Sequence, residues 1–206
     1  MSAPTCRTPR STAKREAIVD AAQGLFLETG YANASMDMMA ARAGVSKATI
    51  YAHFKGKDEL FAAVMQRRCE QSYAFQPPDA GLDARGALTV IAQRLTELMM
   101  SPEALALYRV VVTEAFRAPD LARAFYETGP AQGRANIAAV LKLLEQKGQL
   151  AVPDPARATD QFIGMLRAEC YHRVLLGLPP GRDNAATVAD AVDTMMKTYG
   201  MKIASS

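Results

Sequence analysis

Apolar residues recur along this chain at three- and four-residue spacing, the period of a helix buried on one face. Ile18, Ala22, Leu25 and Phe26 form the first stripe and Gly30 ends it, which predicts a helix from about Ser11 to Thr29. Two short elements follow. Ser35 is placed to cap one running to about Ala43, with Met36, Met39, Ala40 and Ala43 inward. Gly44 breaks it, and Ser46 caps a second over about 47–53. Lys55-Gly56-Lys57 closes that unit. A longer helix from about Lys57 to Phe75 then buries Leu60, Phe61 and Val64, and Pro77-Pro78 with Gly81 marks a linker.

The second part repeats the period. Leu88, Ile91, Leu95 and Leu98 outline one helix, and Leu105, Tyr108, Val112 and Phe116 the next. Pro119 opens a short helix through Leu121 and Phe125, which Gly129-Pro130 is expected to break. Ile137, Val140, Leu141 and Leu144 follow, ended by Gly148. Asp154-Pro155 supplies a cap and a first-turn proline for a helix burying Phe162, Leu166, Cys170 and Val174. Val188, Val192, Met195 and Tyr199 define the last helix, from about Asn184. Alternating β-branched runs and Asn-Gly or Asp-Gly hairpin turns are missing, so the expected class is all-α. The expected division is an arm over 1–10, a three-helix domain over 11–57, a connecting helix and linker over 58–80, and a C-terminal helical bundle over 81–206.

Charge changes this picture. Residues 1–57 carry eight Lys/Arg against four Asp/Glu, while the remaining 149 carry 16 against 17. The excess positive charge sits at one end, as a polyanion partner requires. No apolar run reaches about 18 residues and the basic N-terminus lacks an apolar stretch, so neither a membrane span nor a secretory signal is expected. Cys6, Cys69 and Cys170 lie too far apart for a metal or disulfide framework. A cytoplasmic protein with ordinary thiols and no cofactor or metal is the expectation. No nucleophile–base arrangement or phosphate-cradling glycine loop appears. The only enzymatic alternative rests on Glu169 and His172.

The informative segment is Ser35 to Phe61, SMDMMAARAGVSKATIYAHFKGKDELF. Two short helices around Gly44-Val45-Ser46 make a helix-turn-helix. On the second helix Ile50 and Phe54 point inward, so Ala48, Thr49 and Ala52 face outward and Tyr51 and His53 flank them. The small outer face lets the backbone approach base edges, with Thr49 and the alanine methyls reading thymine methyls. Tyr51 and His53 are placed for phosphates, and Ser35, Ser46, Lys47 and Lys57 stand at helix starts where backbone N–H groups favour anions.

This segment resembles the DNA-binding domain of the TetR family of bacterial regulators. The likeness runs from Ala17–Gly30 through Ala34-Ser35-Met36, Ala40, Ala43-Gly44-Val45-Ser46-Lys47, Thr49-Ile50-Tyr51, His53-Phe54, Lys57 and Leu60-Phe61. It departs at Met39, where isoleucine is common. The resemblance implies a homodimer with a C-terminal effector domain, acting as a repressor released from a palindromic DNA operator by a small molecule. A ligand-blind architectural DNA-binding protein is the alternative.

The two last helices carry apolar residues on more than one stripe, so Phe162, Ile163, Leu166, Leu175, Val188, Val192, Met195 and Met196 are expected at a twofold dimer interface. Tyr108, Val112 and Phe116, completed by Phe125, Met165 and Glu169, are expected to line a largely apolar effector cavity. Its ligand would be a hydrophobic or amphipathic small molecule. Glu169 and Arg173, spaced i, i+4, are expected to pair.

Overall fold

The computed structural model describes residues 9–71 and 81–201. Residues 1–8 of the expected arm over 1–10 and most of the expected linker lie outside them, while Pro9 and Arg10 already belong to the first helix. Ten α-helices follow in order: α1 Pro9–Asn33, α2 Met36–Arg42, α3 Lys47–His53, α4 Lys57–Gln71, α5 Ala84–Met100, α6 Pro102–Glu114, α7 Pro119–Tyr126, α8 Gln132–Gln146, α9 Pro155–Leu175 and α10 Asn184–Tyr199. Among the described residues there is no strand, only an isolated bridge between Leu150 and Gly200. None of these helices is long and apolar enough to cross a membrane.

The chain forms two compact units, and the division departs from the sequence expectation. Residues up to 68 group with 106–128, and residues from 81 to 105 group with those from 129 onward. The N-terminal unit is therefore not closed by its own first helices. Its core joins Ile18, Ala22, Leu25 and Phe26 of α1, Met36 and Met39 of α2, Ile50 of α3, and Leu60, Phe61 and Val64 of α4. Leu107 and Val111 of α6 and Leu121 of α7 complete it. The helices of the first 71 residues do not close this core alone, and later elements supply the missing wall.

The same fact corrects the reading of α6. Its buried positions are Leu105, Leu107 and Val111, whereas Val112 is 55% exposed and Phe116 wholly so. Apolar residues lie on most sides of this helix, so a second stripe at the same spacing takes the core. The helix also ends at Glu114, before Phe116. The Gly129-Pro130 break is corrected too. Glu127–Ala131 form a π-helical turn that contains Pro130, so the chain passes this point without a break.

The second unit is built from α5, α8, α9 and α10 around Leu88, Ile91, Leu141, Phe162, Leu166, Val188 and Val192. Six residues expected at a dimer interface, Phe162, Ile163, Leu166, Val188, Val192 and Met195, are at most 6% exposed in a single chain and belong to this core. That assignment is corrected: the amphipathic faces of α9 and α10 turn into their own protomer. Leu175 is half-buried, and half-buried Met196 packs against the same core.

Three threonines are sealed into this unit; Thr187 has hydrogen-bond partners, and the other two do not. Thr96 and Thr159 are 3% and 1% exposed, and neither hydroxyl has a hydrogen-bond partner. A buried hydroxyl without a partner forfeits its hydration with no return. Thr159→Val, which keeps the branched shape, is expected to stabilise the protein by about 1 kcal/mol in chemical denaturation followed by circular dichroism. A lower midpoint for the variant would show that the hydroxyl is satisfied.

Candidate nucleic-acid interface

The helix-turn-helix is built by local chemistry that the sequence announces. Ser35 caps α2, its Oγ accepting from the Met38 N–H at 3.2 Å. Ser46 caps α3, accepting from the Thr49 N–H at 3.1 Å. Gly44 between them has φ +64°, a left-handed conformation in which a Cβ would be strained. Ile50 and Phe54 anchor α3 inward at 0% and 2% exposure.

With those two fixed, Ala48, Tyr51 and Ala52 are exposed on α3. Tyr51 and the two alanines present the small face with a flanking phenol that base-edge reading needs. Thr49 departs from a purely outward reading. It is half-buried, and its Oγ1 lies 2.8 Å from Ser46 Oγ, so the two hydroxyls form one bonded pair. His53 is half-buried at the helix end beside Phe54. Lys47, the first residue of α3, reaches across the turn to Asp37 Oδ2 at 2.9 Å.

Lys57 takes a different part from the one its position suggests. Its Nζ donates to the carbonyls of Tyr31 at 2.7 Å and Ala32 at 3.3 Å, and it stands 4.2 Å over the Tyr31 ring. Its ammonium closes the last turn of α1, where carbonyls lack helical partners. Burial pulls its pKa below the ordinary lysine value, with Asp58 and Glu114 opposing. In the chain alone Lys57 thus ties α4 to α1. Sequence reasoning missed this because the partners are backbone atoms some 26 residues away.

Tyr31 completes the tie. It is 6% exposed, stacks on Phe26, meets Phe61 edge-on and donates its hydroxyl to Asp58. Burial, then the bond to Asp58 and the charges of Asp58 and Glu114, raise its pKa well above 10.0. A phenol whose folded pKa is raised gives stability that is whole below about pH 10 and is lost as pH climbs through the folded value. Tyr31→Phe is expected to lower stability at pH 8 by about 1 kcal/mol and to flatten its decline above pH 10. An equally steep alkaline decline in the variant would assign the effect to other groups.

The expected effector residues do not gather in one unit. Tyr108 and Phe125 meet edge-to-face in the N-terminal unit at 5.8 Å. Val112 and Phe116 belong to that unit and are exposed, whereas Met165 and Glu169 belong to the other. Glu169 has an 81% exposed side chain and pairs with Arg173 at 3.6 Å, the i, i+4 pairing its spacing predicts. Ala168 just before it has φ 32° and ψ −152°, a break in helical geometry inside α9.

Two family models match, one for bacterial regulatory proteins of the tetR family over residues 18–64 and one for the C-terminal domain of AefR-like transcriptional repressors over 86–201. This chain belongs to the TetR family of transcriptional regulators. A solved TetR-family regulator of Mesorhizobium loti superimposes with a TM-score of 0.81 at 29% identity, covering 94% of this chain and 100% of that one. The flavonoid-responsive regulator FrrA gives 0.79 at 32%, covering 93% and 99%. Among curated relatives, the regulator SrpR of Pseudomonas putida is 33% identical over 89 residues, 43% of this chain and 41% of its own length. The activator FasR of Mycolicibacterium smegmatis is 44% identical over 64 residues, 31% of this chain and 29% of its own length. The chain thus matches less than half the length of either. This TetR-family protein is a DNA-binding regulator, and its relatives are regulators rather than enzymes. That sets aside an enzymatic role for Glu169 and His172. The His172 ring itself is engaged through Nδ1 with the Ala168 carbonyl at 3.0 Å.

Proposed function

We propose that this regulator is a homodimeric repressor that binds a palindromic operator and leaves it when a hydrophobic or amphipathic small molecule binds its C-terminal domain. The observation that carries the repressor reading is the match of residues 86–201 to the C-terminal domain of AefR-like repressors. Ser35, Ser46, Lys47, Ala48, Thr49, Tyr51, Ala52 and His53 form the DNA-contacting set. The alanines approach bases, and Tyr51 and Lys47 hold phosphates. Dimerisation uses the outer faces of α9 and α10, where Gly164, Ala168, Ala185 and Ala189 are exposed in one chain. These small residues permit close helix approach.

For the effector, FrrA is flavonoid-responsive and alike over nearly its whole length. Planar aromatic amphiphiles are therefore the first class to test. Thr96 and Thr159 supply unpartnered hydroxyls in an otherwise apolar core, the polar handles such a ligand would need. Met165 and Glu169, which belong to the same unit as those threonines, stay as candidate contacts. Footprinting on DNA flanking its own gene, with and without flavonoids, tests the reading. Protection of one palindrome that fades with ligand supports it. Ligand-blind protection with little sequence preference would favour an architectural protein instead.

A further inference from the structure

Three basic side chains in and beside the helix-turn-helix, Arg42, Lys47 and Lys57, are engaged within the protein itself. Arg42 holds both oxygens of Glu28, at 2.6 and 2.7 Å, and joins α2 to α1. Its guanidinium lies against Gly24, where an added Cβ would stand 2.7 Å from Nη2. Lys57 is half-buried on the carbonyls of α1. Lys57 is held by packing between helices, and the Arg42–Glu28 pair, partly exposed, is held by two parallel bonds. The bond between Lys47 and Asp37 is of another kind. Both side chains are about two-thirds exposed, 66% and 63%, and the bond spans the turn between α2 and the first residue of the recognition helix. The neighbouring carboxylate also raises the lysine's pKa, so its ammonium stays fully charged.

We propose that Asp37 is an internal competitor of DNA: it occupies the Lys47 ammonium in the free protein, is displaced by a phosphate on binding, and thereby sets operator affinity and its salt dependence. This rests on the reading of Lys47 as a phosphate contact. An exposed ion pair is weak, so the exchange is cheap and reversible. Its cost comes afterwards. Once Lys47 turns to a phosphate, the Asp37 carboxylate remains one side chain's length away, unneutralised, beside a polyanion. Freed of Lys47, it takes up a cation from solution, which cancels part of the counterion release that Lys47 brings about on reaching the phosphate. Without Lys47 the carboxylate carries that cation before and after binding and the effect disappears. Charges at the edge of an interface act in this way on encounter and salt dependence more than on fold.

The test uses the full chain and the palindromic duplex that the wild-type protein selects from a random pool. Dissociation constants are measured between 50 and 300 mM KCl for wild type, Asp37→Asn, Asp37→Glu, Lys47→Gln and the Asp37→Asn/Lys47→Gln double variant. Asp37→Asn is expected to bind about three- to tenfold tighter near 100 mM, with a salt slope steeper by up to about one. Asp37→Glu should behave like wild type. In the Lys47→Gln background the gain from Asp37→Asn should fall below about twofold. Equal affinity for wild type and Asp37→Asn, with Lys47→Gln weakened, overturns the role of Asp37 alone. An unweakened Lys47→Gln in the Asp37→Asn background overturns the Lys47 contact itself. A gain of the same size with and without Lys47 marks a general charge effect and also overturns the proposal. Thermal melting of each variant separates these results from loss of fold.

Discussion

Ala52→Glu is expected to abolish operator binding while leaving the fold intact. Ala52 is exposed on the recognition helix, one turn beyond exposed Ala48, and its methyl packs in no described core. Surface changes of this kind alter stability by about 0.5 kcal/mol or less. In the groove the same carboxylate meets a polyanion at close range. Like charges forced together at an interface cost several kcal/mol, so affinity should fall at least about hundredfold. Circular dichroism melting and a fluorescence-anisotropy titration are sufficient to check it. Binding within about threefold of wild type would show that α3 presents another face to DNA.

Phe26→Ala should lose the same function for the opposite reason. Phe26 is fully buried, stacks on Tyr31 at 5.5 Å and meets Phe61 edge-on at 5.3 Å, while Tyr31 and Phe61 meet at 5.7 Å. These three rings join α1, its last turn and α4, so they hold the frame on which α2 and α3 rest. Removing a buried phenylalanine costs about 3–5 kcal/mol, through lost transfer energy and the cavity left behind. DNA binding should then decline with the folded fraction and recover on cooling, which Ala52→Glu should not do. Unfolding within about 1 kcal/mol of wild type would show that the neighbouring helices collapse into the space.

How far the sequence could be read follows from the range of each interaction. Gly44, Ser35 and Ser46 all act on atoms within a few residues, and each stood where the pattern put it, while Gly30, with φ +76°, kinks α1, which runs on to Asn33. The inward side of α3 was equally legible, because Ile50 and Phe54 are the only large apolar pair at helical spacing there. Choices between two apolar faces were not legible. In α6 the residues Leu107 and Val111 compete with Tyr108 and Val112, and only the shape of the partner core decides. In α9 and α10 periodicity gives a greasy face without saying whether it meets the same chain or another. Lys57 failed for a related reason. Its partners are backbone carbonyls, which every residue possesses and no side-chain pattern marks.

The Ser46–Thr49 hydroxyl pair limits what the recognition helix can say to a base pair. Two hydroxyls 2.8 Å apart share one proton between them, whichever is the donor. One proton is left to point outward. Replacing either residue by an apolar one removes a proton and also releases the other from its internal duty, so the outward count stays at one. Only the double replacement brings it to zero. Either single substitution is thus expected to leave one hydroxyl proton facing outward, carried by a different oxygen in each case. On the proposed DNA-contacting role of α3, operator preference is therefore expected to tolerate a single change at Ser46 or Thr49 better than one at Ala48 or Ala52.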